Sequence, residues 1–591
     1  MFGIKIKNEF LDLPQNFVIE FQLNNQVFSS SDNDLLPGSF QIPTNLVLTN
    51  KNKRLLNNPH LPQNADNLME DEPAEIWAGG GMLWEGLLTI QNAQEKTVRI
   101  YTVIAPFKEL KNENITDLDL GGDRVIGQTS LEVRIHAEGT TVNPLSHDYI
   151  FFPVYNYRFQ SEKKYIGSPP LFQNYWDDVN QEFFEGEESP AAMPFVRVEY
   201  LLDKIFEGFE YTFINNWQTT DELKMLVMYN NFSIYEDPDY DPDANPPVDP
   251  LPDTWGRVIN LVNHLPKVKS NKFLKDWMRI FGLGLFVDFH ARTVELIPVR
   301  NLLERSPSHD WSDKLLREYT INKNKLGAPD AYSFDIEDEV STEFDRLYER
   351  PTDYVPVLDI EDVPPFPPAN STNVYYVENR DIFVISGAFP ARPSRKALDY
   401  SDLGVAPRYN TDNEVSIDLA PLHDFFFGEL DSNGNAILVT YDKFEYSTPP
   451  EVRAFPAIYY LGTIEEVRDQ KAEVPYRFTM YRGIYNNRDG NPHPYANGMP
   501  YDPQGNKIGD YSIHWTSPTG LYEQWHRQWH EMLRYGKNVN MIFNLKLSDL
   551  LKFSFKDKVI VGNLEYFVKS INVKFSRRGL LPVQMELVSV I

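Results

Sequence analysis

The sequence lacks cysteine altogether, although it is 591 residues long. This absence excludes disulfide frameworks, thiolate nucleophiles and cysteine-based zinc or iron–sulfur sites. No apolar run approaches the roughly 18 residues of a membrane-spanning helix, so we expect no stable membrane insertion. The first residues, MFGIKIKNEF, alternate apolar and charged side chains without the apolar core of a secretory signal, which predicts a strand there.

Positive charge is scarce in this chain. It carries 56 Lys and Arg residues against 85 Asp and Glu residues, a formal net charge of −29. Such a surface repels phosphate over most of its area, which argues against tight wrapping of nucleic acid. Passage of DNA along the surface without binding is compatible with this charge.

Glycine motifs that bind phosphate or present a nucleophile are missing or incomplete. No G-x-S-x-G occurs, which excludes the usual nucleophile elbow. The run Gly79-Gly80-Gly81 is followed by Met82-Leu83-Trp84 without the Lys-Ser or Lys-Thr of a P-loop, so it predicts a hairpin turn. Gly282 and Gly284 lack the third glycine of a dinucleotide fingerprint, and we interpret Gly282 as a helix stop.

Alternating acids between residues 237 and 243 resemble the first half of a calcium loop. Pro242 stands where such a loop requires glycine, and Val248 stands where it requires a bidentate glutamate. The pattern therefore favours a solvated acidic linker over a loose cation site.

The stretch QWHRQWHEML places His526 and His530 four residues apart on a predicted helix, a spacing that can direct two imidazoles at one metal ion. Glu531 has the wrong position for the H-E-x-x-H motif, and a third and fourth ligand are not evident. We therefore interpret the two histidines as neighbours of an aromatic packing stripe formed by Tyr522, Trp525, Trp529 and Leu533.

Carboxylate pairs for glycoside hydrolysis are not excluded by composition, because 85 acidic residues can place two at the required separation. Trp176, Asp177 and Asp178 are one example among many. A carbohydrate-active enzyme or glycan-binding protein therefore stays open as the alternative function. We identify no catalytic, cofactor-binding or metal-binding residue and expect no cofactor.

The length predicts about four domains at about 150 residues each. Period-two alternation in FVIEFQL, MLWEGLLTI and TVRIYTVI predicts a β domain over 1–110, interrupted by an excursion from the sheet over 29–72. A mixed connecting region over 111–195 follows.

Residues 196–300 change to helical spacing and predict an α/β domain. A helix starts at Val198 and ends near Gly208, and DELKMLVMY predicts a second helix. Ser270 is placed to cap a further helix that ends at Gly282. The segments LGLFVDF and TVELIPV then predict a hairpin.

The remaining chain returns to β patterning. Residues 301–350 plus 535–591 predict a second β domain, with turns at Gly562-Asn563 and Arg577-Arg578-Gly579. Residues 351–534 predict a β-rich, Pro- and Tyr-rich insertion that ends in a helix.

Four stretches place these elements in a recognisable order: AEIWAGGGMLWEGLLTI, NHLPKVKSNKFLKDWMRIFGLGLFVDFHARTVELIPV, YEQWHRQWHEMLRYGKN and NLKLSDLLKFSFKDKVIVGNLEYFVKSINV. The order resembles that of the tail hub or baseplate hub proteins of tailed bacteriophages and contractile injection systems. The resemblance implies an α+β, multidomain, β-rich fold with two tail-tube-like β-barrel domains, mixed α/β domains and a β-rich insertion.

The resemblance also implies a non-enzymatic role as a homotrimeric ring that adapts a six-fold tail tube to a three-fold tip or spike. The implied partners are further copies of the chain, a tail tube or distal tail protein, a tip or spike protein and a tape measure protein. DNA would pass through the channel without specific binding. The implied location is the virion tail, assembled in the bacterial host cytoplasm.

Overall fold

The structure is a computed structural model, and it describes residues 2–28, 40–67, 71–104, 107, 110, 112–156, 172–174, 176–177, 180–183, 192–230, 232, 234, 257–322, 331–334, 355–358, 362, 374–377, 382–385, 414–421, 424–425, 429–430, 436–437, 455–458, 474, 476–486, 490–498, 500, 507–513 and 519–590. Over these residues the chain is β-rich with several helices, so the predicted α+β class is confirmed.

Two large sheets contain the two ends of the chain. In spatial order, the strands of the first sheet are Glu9–Phe10, Phe2–Ile6, Glu72–Ala78, Gly81–Ala93, Thr97–Ile104 and Phe40–Val47. The second sheet runs in the order His309–Asp310, Lys558–Val561, Leu564–Ser576, Val583–Ser589, Asn538–Phe543 and Leu315–Asn322. Val18–Asn24 and Gly579–Leu580 also pair with Leu564–Ser576 and complete the second sheet.

The hairpin turns predicted from glycine are confirmed in both sheets. Gly79 and Gly80 have φ values of +65° and +95° and connect Glu72–Ala78 to Gly81–Ala93. Positive φ at both central residues matches the twist of the flanking strands in a two-residue hairpin. Gly562, with φ of +66°, opens the corresponding turn of the second sheet.

The predicted excursion over 29–72 is wrong for residues 40–47. Phe40–Val47 pairs antiparallel with Thr97–Ile104 along its whole length and forms the edge of the first sheet. This edge strand tolerates Pro43, which lies opposite Tyr101, because one row of its N–H groups has no ladder partner. Ile42 and Leu46 are buried on the core face.

A short helix, Asn50–Leu55, follows this edge strand. The hydroxyl of Thr49 accepts a hydrogen bond from the backbone N–H of Asn52 at 3.1 Å and caps the first turn. The buried Asn52 side chain donates to the carbonyls of Asp12 and Val47 at 2.9 and 2.8 Å. These bonds attach the helix to the end of the sheet.

We name the α/β part the described residues between Thr97–Ile104 and His309–Asp310 in the sequence. It contains the helices Ser130–Val142, Val198–Glu207, Asp221–Lys224, Ser270–Ile280 and Val299–Glu304. Its three-stranded sheet has the order Thr212–Asn215, Thr293–Pro298 and Leu283–Asp288. The helices predicted from Val198 and from Ser270 are therefore confirmed, as is the hairpin that follows Gly282.

Two local predictions in this part are corrected. The helix predicted over DELKMLVMY contains only Asp221–Lys224, because Leu226–Met228 instead forms a buried strand that pairs with Arg477–Asn486. Ser270 begins its helix, but its side chain makes no capping hydrogen bond and Lys269 occupies the cap position. The N-terminus of this helix is instead held by a backbone hydrogen bond, which the Ser270 N–H donates to the Glu113 carbonyl at 2.8 Å.

The remaining described elements are short. Strands are Asp123–Val125, Tyr149–Ile150, Val154–Asn156, Phe172–Gln173, Trp176–Asp177, Glu182–Phe183, Phe195–Val196, Val258–Asn260, Ala331–Phe334, Val355–Val357, Val374–Val377, Ile382–Ile385, Glu414–Ile417, Ala420–Pro421, Asp424–Phe425, Glu429–Leu430, Ala436–Ile437, Phe455–Ile458 and Pro492–Ala496. Helical turns are Gln26–Phe28, Pro62–Asn67, Ile115–Asp117, Pro144–Ser146, Leu261–His264 and Ser312–Lys314, and the helices near the C-terminus are Tyr522–His526, Arg527–Tyr535 and Leu547–Lys552.

Hydrophobic cores follow this organisation. One core contains buried residues of both large sheets, and a second fills the α/β part around Trp217 and Trp277. A smaller core around Trp529 joins the helix Arg527–Tyr535 to the second sheet. Among the described helices, none has the length and apolar character needed to cross a membrane.

Candidate assembly interface

The two large sheets repeat one order of elements. In the first sheet the chain runs through Phe40–Val47, Asn50–Leu55, Glu72–Ala78, Gly81–Ala93 and Thr97–Ile104. In the second sheet it runs through Asn538–Phe543, Leu547–Lys552, Lys558–Val561, Leu564–Ser576 and Val583–Ser589. Each series is a strand, a six-residue helix, a strand, a glycine turn, a thirteen-residue strand and a final strand.

The pairing of these strands is repeated as well. We name Gly81–Ala93 the first long strand and Leu564–Ser576 the second long strand. In each sheet, the final strand lies between the long strand and the strand that precedes the short helix. In each sheet, the pairing of the long strand with the final strand contains one irregularity, between Ile90 and Asn92 and between Val568 and Ser570. The chain therefore contains two copies of one arrangement.

One strand connects the two copies. Val18–Asn24, which we name the bridging strand, comes before the first-sheet strand Phe40–Val47 in sequence. It nevertheless pairs with residues 570–576 of the second long strand, with Val18 opposite Ser576 and Asn24 opposite Ser570. The N-terminal part of the chain thus contributes one strand to the second sheet, and side-chain packing of that strand reaches the first sheet.

Polar contacts hold this ladder in register. Glu20 accepts hydrogen bonds from Asn572 Nδ2 at 2.7 Å and from Lys574 Nζ at 3.0 Å. The hydrogen bond from Asn572, followed by that from Lys574, lowers the pKa of the Glu20 carboxyl. Beyond the end of the strand, the Asn25 amide donates to the carbonyls of Phe555 and Val568 at 3.0 and 3.1 Å.

Aromatic packing crosses the same boundary. The buried Phe21 of the bridging strand stacks on Phe40 of the first sheet with ring centroids 5.6 Å apart. It also stacks on Phe575 of the second sheet at 6.3 Å and meets Trp84 edge-on at 5.6 Å. Each such aromatic pair stabilises a fold by about 0.5–1.5 kcal/mol beyond the burial of its area. Phe21 therefore contributes strongly to the packing of the first sheet against the second.

A second contact joins the hairpin turn of the first sheet to the helix Leu547–Lys552 of the second. A Cβ added at Gly79 would lie 2.7 Å from Leu547 Cδ2, so the turn lies directly against that side chain. In the equivalent turn of the second sheet, Gly562 N–H donates to Ser312 Oγ at 2.9 Å. A Cβ added at Gly562 would meet no described atom within 4 Å, and the adjacent Leu564 is 59% exposed.

A cleft of about 590 Å³ lies where the two sheets meet the α/β part, and its walls include Phe40, Trp84 and Phe286. Three carboxylates also line the cleft, and each one accepts a hydrogen bond or forms an ion pair with a neighbouring residue. Asp288 accepts from the N–H groups of His290 and Ala291 in a turn, Glu295 pairs with Lys556, and Asp557 accepts from the Ser554 N–H. Each of the three carboxylates therefore has a partner in the adjacent described structure.

The histidines His526 and His530 are both buried, at 3% exposure each. His526 Nε2 lies 2.8 Å from the Ile280 carbonyl oxygen and donates to it. Burial lowers the pKa of His526 to about 4 and that of His530 to about 3. In the described part of the chain no group of three metal-ligating side chains occurs.

Of the other candidate residues, Trp176 and Asp177 lie in the described part of the chain. Trp176 is buried, and its indole N–H donates to the Pro492 carbonyl at 3.0 Å. Asp177 accepts from the backbone and side-chain nitrogens of Asn180 at 3.1 and 2.8 Å, which is a turn contact. Asp178 and the acidic segment over 237–248 lie outside the described residues.

The resemblance implied two alike β domains at the two ends of the chain, but sequence reasoning missed the shared order of their elements and the bridging strand. The signal for the repeat was present: NKNKRL and LSDLLK are short polar helices, each followed by a strand, a glycine turn and an uninterrupted β-patterned run. The bridging strand left no such signal, because a partner more than 540 residues away is not encoded in local periodicity.

No protein-family model matches the sequence, and no curated protein matches it. Among solved structures, the chain is similar to the 43 kDa tail protein of prophage MuSo2 from Shewanella oneidensis, with 9% identity, a TM-score of 0.32, and 100% of this chain and 97% of that chain covered. It is similar to prophage tail protein gp18 from Listeria monocytogenes EGD-e, with 7% identity, a TM-score of 0.31, and 99% and 94% covered.

A third similar structure is the E. coli c3393 protein, described as a component of the type VI secretion system with structural similarity to T4 bacteriophage tail proteins gp27 and gp5. The identity is 6% and the TM-score 0.24, with 99% of this chain and 76% of that chain covered. These are tail or tail-like proteins, the kind that the sequence resemblance predicted. Because all three TM-scores lie below 0.5, the likeness carries no argument about the fold or function of this chain.

Proposed function

We propose that the protein is a structural, non-enzymatic tail hub of a phage or phage-like injection machine. The observation that supports this proposal is the repeated order of elements in the two large sheets, joined by the bridging strand. Each sheet with its short helix would serve as one tube-like module. Three chains would then present six modules to a six-fold tube while keeping three-fold symmetry towards a tip or spike.

Trimer formation accounts for the edges of the two sheets. Unpaired N–H and C=O groups on an edge strand invite pairing with another chain. A head-to-tail interface that closes after three copies satisfies such edges and leaves no open end. The partners on the two faces of this ring would be the tail tube or distal tail protein and the tip or spike protein, with a tape measure protein in the channel.

The net charge of −29 fits this role. An acidic channel wall repels phosphate, so DNA would pass through without being held. The location that follows is the virion tail, after assembly in the bacterial host cytoplasm.

The oligomeric state of the purified protein tests the proposal. Light scattering should give three times the 68.6 kDa mass of one chain, and averaged electron micrographs should show a three-fold ring with a central opening. A solitary globule at all protein concentrations would overturn the hub function.

A further inference from the structure

We infer that neighbouring copies of this chain are joined by an intermolecular ladder, in which Leu315–Asn322 of one copy pairs with residues 89–93 of the first long strand of the next. This inference rests on the proposed function. In this ladder, Leu315–Asn322 would pair with the first long strand of the next copy in the way that the bridging strand pairs with the second long strand within one copy.

The bridging strand supplies the template. One edge of the second long strand is covered in two parts: Lys558–Val561 pairs with residues 564–567, and the bridging strand pairs with residues 570–576. The opposite edge pairs with Val583–Ser589. A strand from the N-terminal part of the chain, which pairs with no strand of the first sheet in the described residues, therefore completes the edge of the second long strand.

The first long strand has the same edge without that completion. Glu72–Ala78 pairs with it only as far as Leu88, and Thr97–Ile104 takes the opposite edge. Beyond Leu88, residues 89–93 have no strand partner on this edge among the residues that the structure describes. Gln91 and Asn92 are exposed there.

The composition of residues 89–93 does not protect this edge, which has no strand partner among the described residues. Residues 89–93 read TIQNA and contain neither a charged residue nor a proline. Soluble proteins usually protect open edges with lysine, proline or inward charges. The strand at the end of the same sheet, Phe40–Val47, does carry such protection, because it contains Pro43.

The strand that would complete this edge follows from the repeat. Leu315–Asn322 is the strand of the second sheet that comes before Asn538–Phe543 in the chain, with residues 323–537 between them, and the bridging strand comes before Phe40–Val47 with residues 25–39 between them. It pairs with Asn538–Phe543 along one edge and stands at the end of the second sheet. Its other edge has no strand partner in the described part of the chain, and Leu316 is 39% exposed.

The contact between the Gly79 turn and the helix Leu547–Lys552 also supports a contact between copies. Within one copy, the first-sheet turn at Gly79 packs on the helix Leu547–Lys552. At the equivalent second-sheet turn, a Cβ added at Gly562 would meet no described atom within 4 Å, and Leu564 beside it is 59% exposed. In the ring, this turn would pack on the helix Asn50–Leu55 of the same neighbour that accepts the strand.

Each copy therefore donates one strand and accepts one, so the contact is head-to-tail. An interface of this kind gives a closed ring when the rotation between copies closes. The binding partner is a second copy of this chain, and the main-chain ladder gives both affinity and register.

Cysteine cross-linking tests the ladder cleanly because the natural chain has no cysteine. Four double variants combine Gln91→Cys or Asn92→Cys with Leu316→Cys or Thr320→Cys. Directly opposite residues of an antiparallel pair have Cβ atoms about 4.5–5.5 Å apart, close enough for a disulfide to form on oxidation. Gln22→Cys with Asn572→Cys, which are partners in the bridging ladder, is the control for a disulfide within one chain.

At least one double variant should yield covalent dimers and trimers on a non-reducing gel, several-fold above the yield of either single variant. The control pair should cross-link within one chain and yield no covalent oligomer. Thermal melts of each variant, compared with the natural protein, exclude misfolding as the cause of a failure.

The outcomes separate the two proposals. A trimer by mass in which no double variant cross-links above the single variants would overturn the ladder and leave the hub function standing. A monomer at every protein concentration would overturn both.

Discussion

Trp277 occupies the centre of the α/β core with no exposed surface. Its ring stacks on Phe281 with centroids 5.4 Å apart and contacts Phe478 at 4.9 Å and Trp217 at 6.0 Å. These neighbours come from the helix, from the strand Arg477–Asn486 and from the segment after Thr212–Asn215. A single indole thus holds three distant parts of the chain together.

Trp277→Ala should therefore lower the free energy of unfolding by about 3–5 kcal/mol, the range for removing a large buried aromatic side chain. Chemical denaturation followed by circular dichroism measures this change. Tyr535→Ala, at a residue 69% exposed, is the control and should change it by no more than about 0.5 kcal/mol. Unchanged stability of Trp277→Ala would contradict the described core.

The buried histidines make stability depend on pH. In the folded chain the pKa of His526 is about 4 and that of His530 about 3, against 6.5 for the ordinary side chain, because burial disfavours the charged form. The unfolded chain therefore binds more protons as the pH falls below 6.5. Stability that is complete above pH 6.5 is lost towards acid, by about 1.4 kcal/mol per histidine at pH 5.5.

His530→Gln should reduce this loss of stability between pH 7.5 and pH 5.5 by about 1.4 kcal/mol relative to the natural chain. The comparison with the natural chain is necessary because Asp276, with its pKa raised to about 6 by burial, changes stability in the opposite direction. Denaturation at the two pH values measures the difference. Tyr535→Phe on the same helix should leave it unchanged, and an equal loss in His530→Gln would contradict the burial of that imidazole.

At the scale of elements, sequence patterning predicted those whose partners are local. The helix Ser270–Ile280 and the hairpin after it have their apolar stripe and turn residues within one stretch, and both are confirmed. Leu226–Met228 was predicted as part of the helix DELKMLVMY, because a short apolar run does not by itself distinguish a buried strand from a helix. Its strand conformation comes from pairing with Arg477–Asn486, about 250 residues away.

The bridging strand offers a matched pair of substitutions. Phe21→Ala removes a ring that is 4% exposed and contacts both sheets, while Val18→Ala changes a side chain on the same strand that is 58% exposed. We expect a loss of about 3–5 kcal/mol for Phe21→Ala and less than about 0.5 kcal/mol for Val18→Ala. Calorimetry measures both, and equal effects would mean that the two sheets do not meet at Phe21.

At the scale of the whole molecule, charge predicts the behaviour towards DNA. With a net charge of −29, the purified protein should show negligible affinity for duplex DNA at low salt, where electrostatic attraction would be strongest. Fluorescence anisotropy with a labelled duplex measures this. Micromolar binding under those conditions would count against an acidic channel wall.

Metal removal provides a further test of the complete assembly. Because the two histidines pack in a core and no ligand cluster occurs in the described residues, a chelator should leave the melting temperature and the oligomeric mass unchanged. A drop in either would mean that a bound cation stabilises the protein and would contradict this expectation.

The sequence by itself determined the composition-driven properties and the local elements of this protein: no thiol chemistry, an acidic surface, β patterning at both ends and a helix–hairpin unit between them. These depend on charge sums and on side-chain periodicities of two and 3.6 residues, which are readable within about fifteen residues. Tertiary structure alone decided that the two ends share one core, that a strand from the first end completes the second, and that His526 and His530 are buried. Each of these depends on contacts between residues far apart in the chain, and the free energy of those contacts leaves no periodic trace in the local sequence.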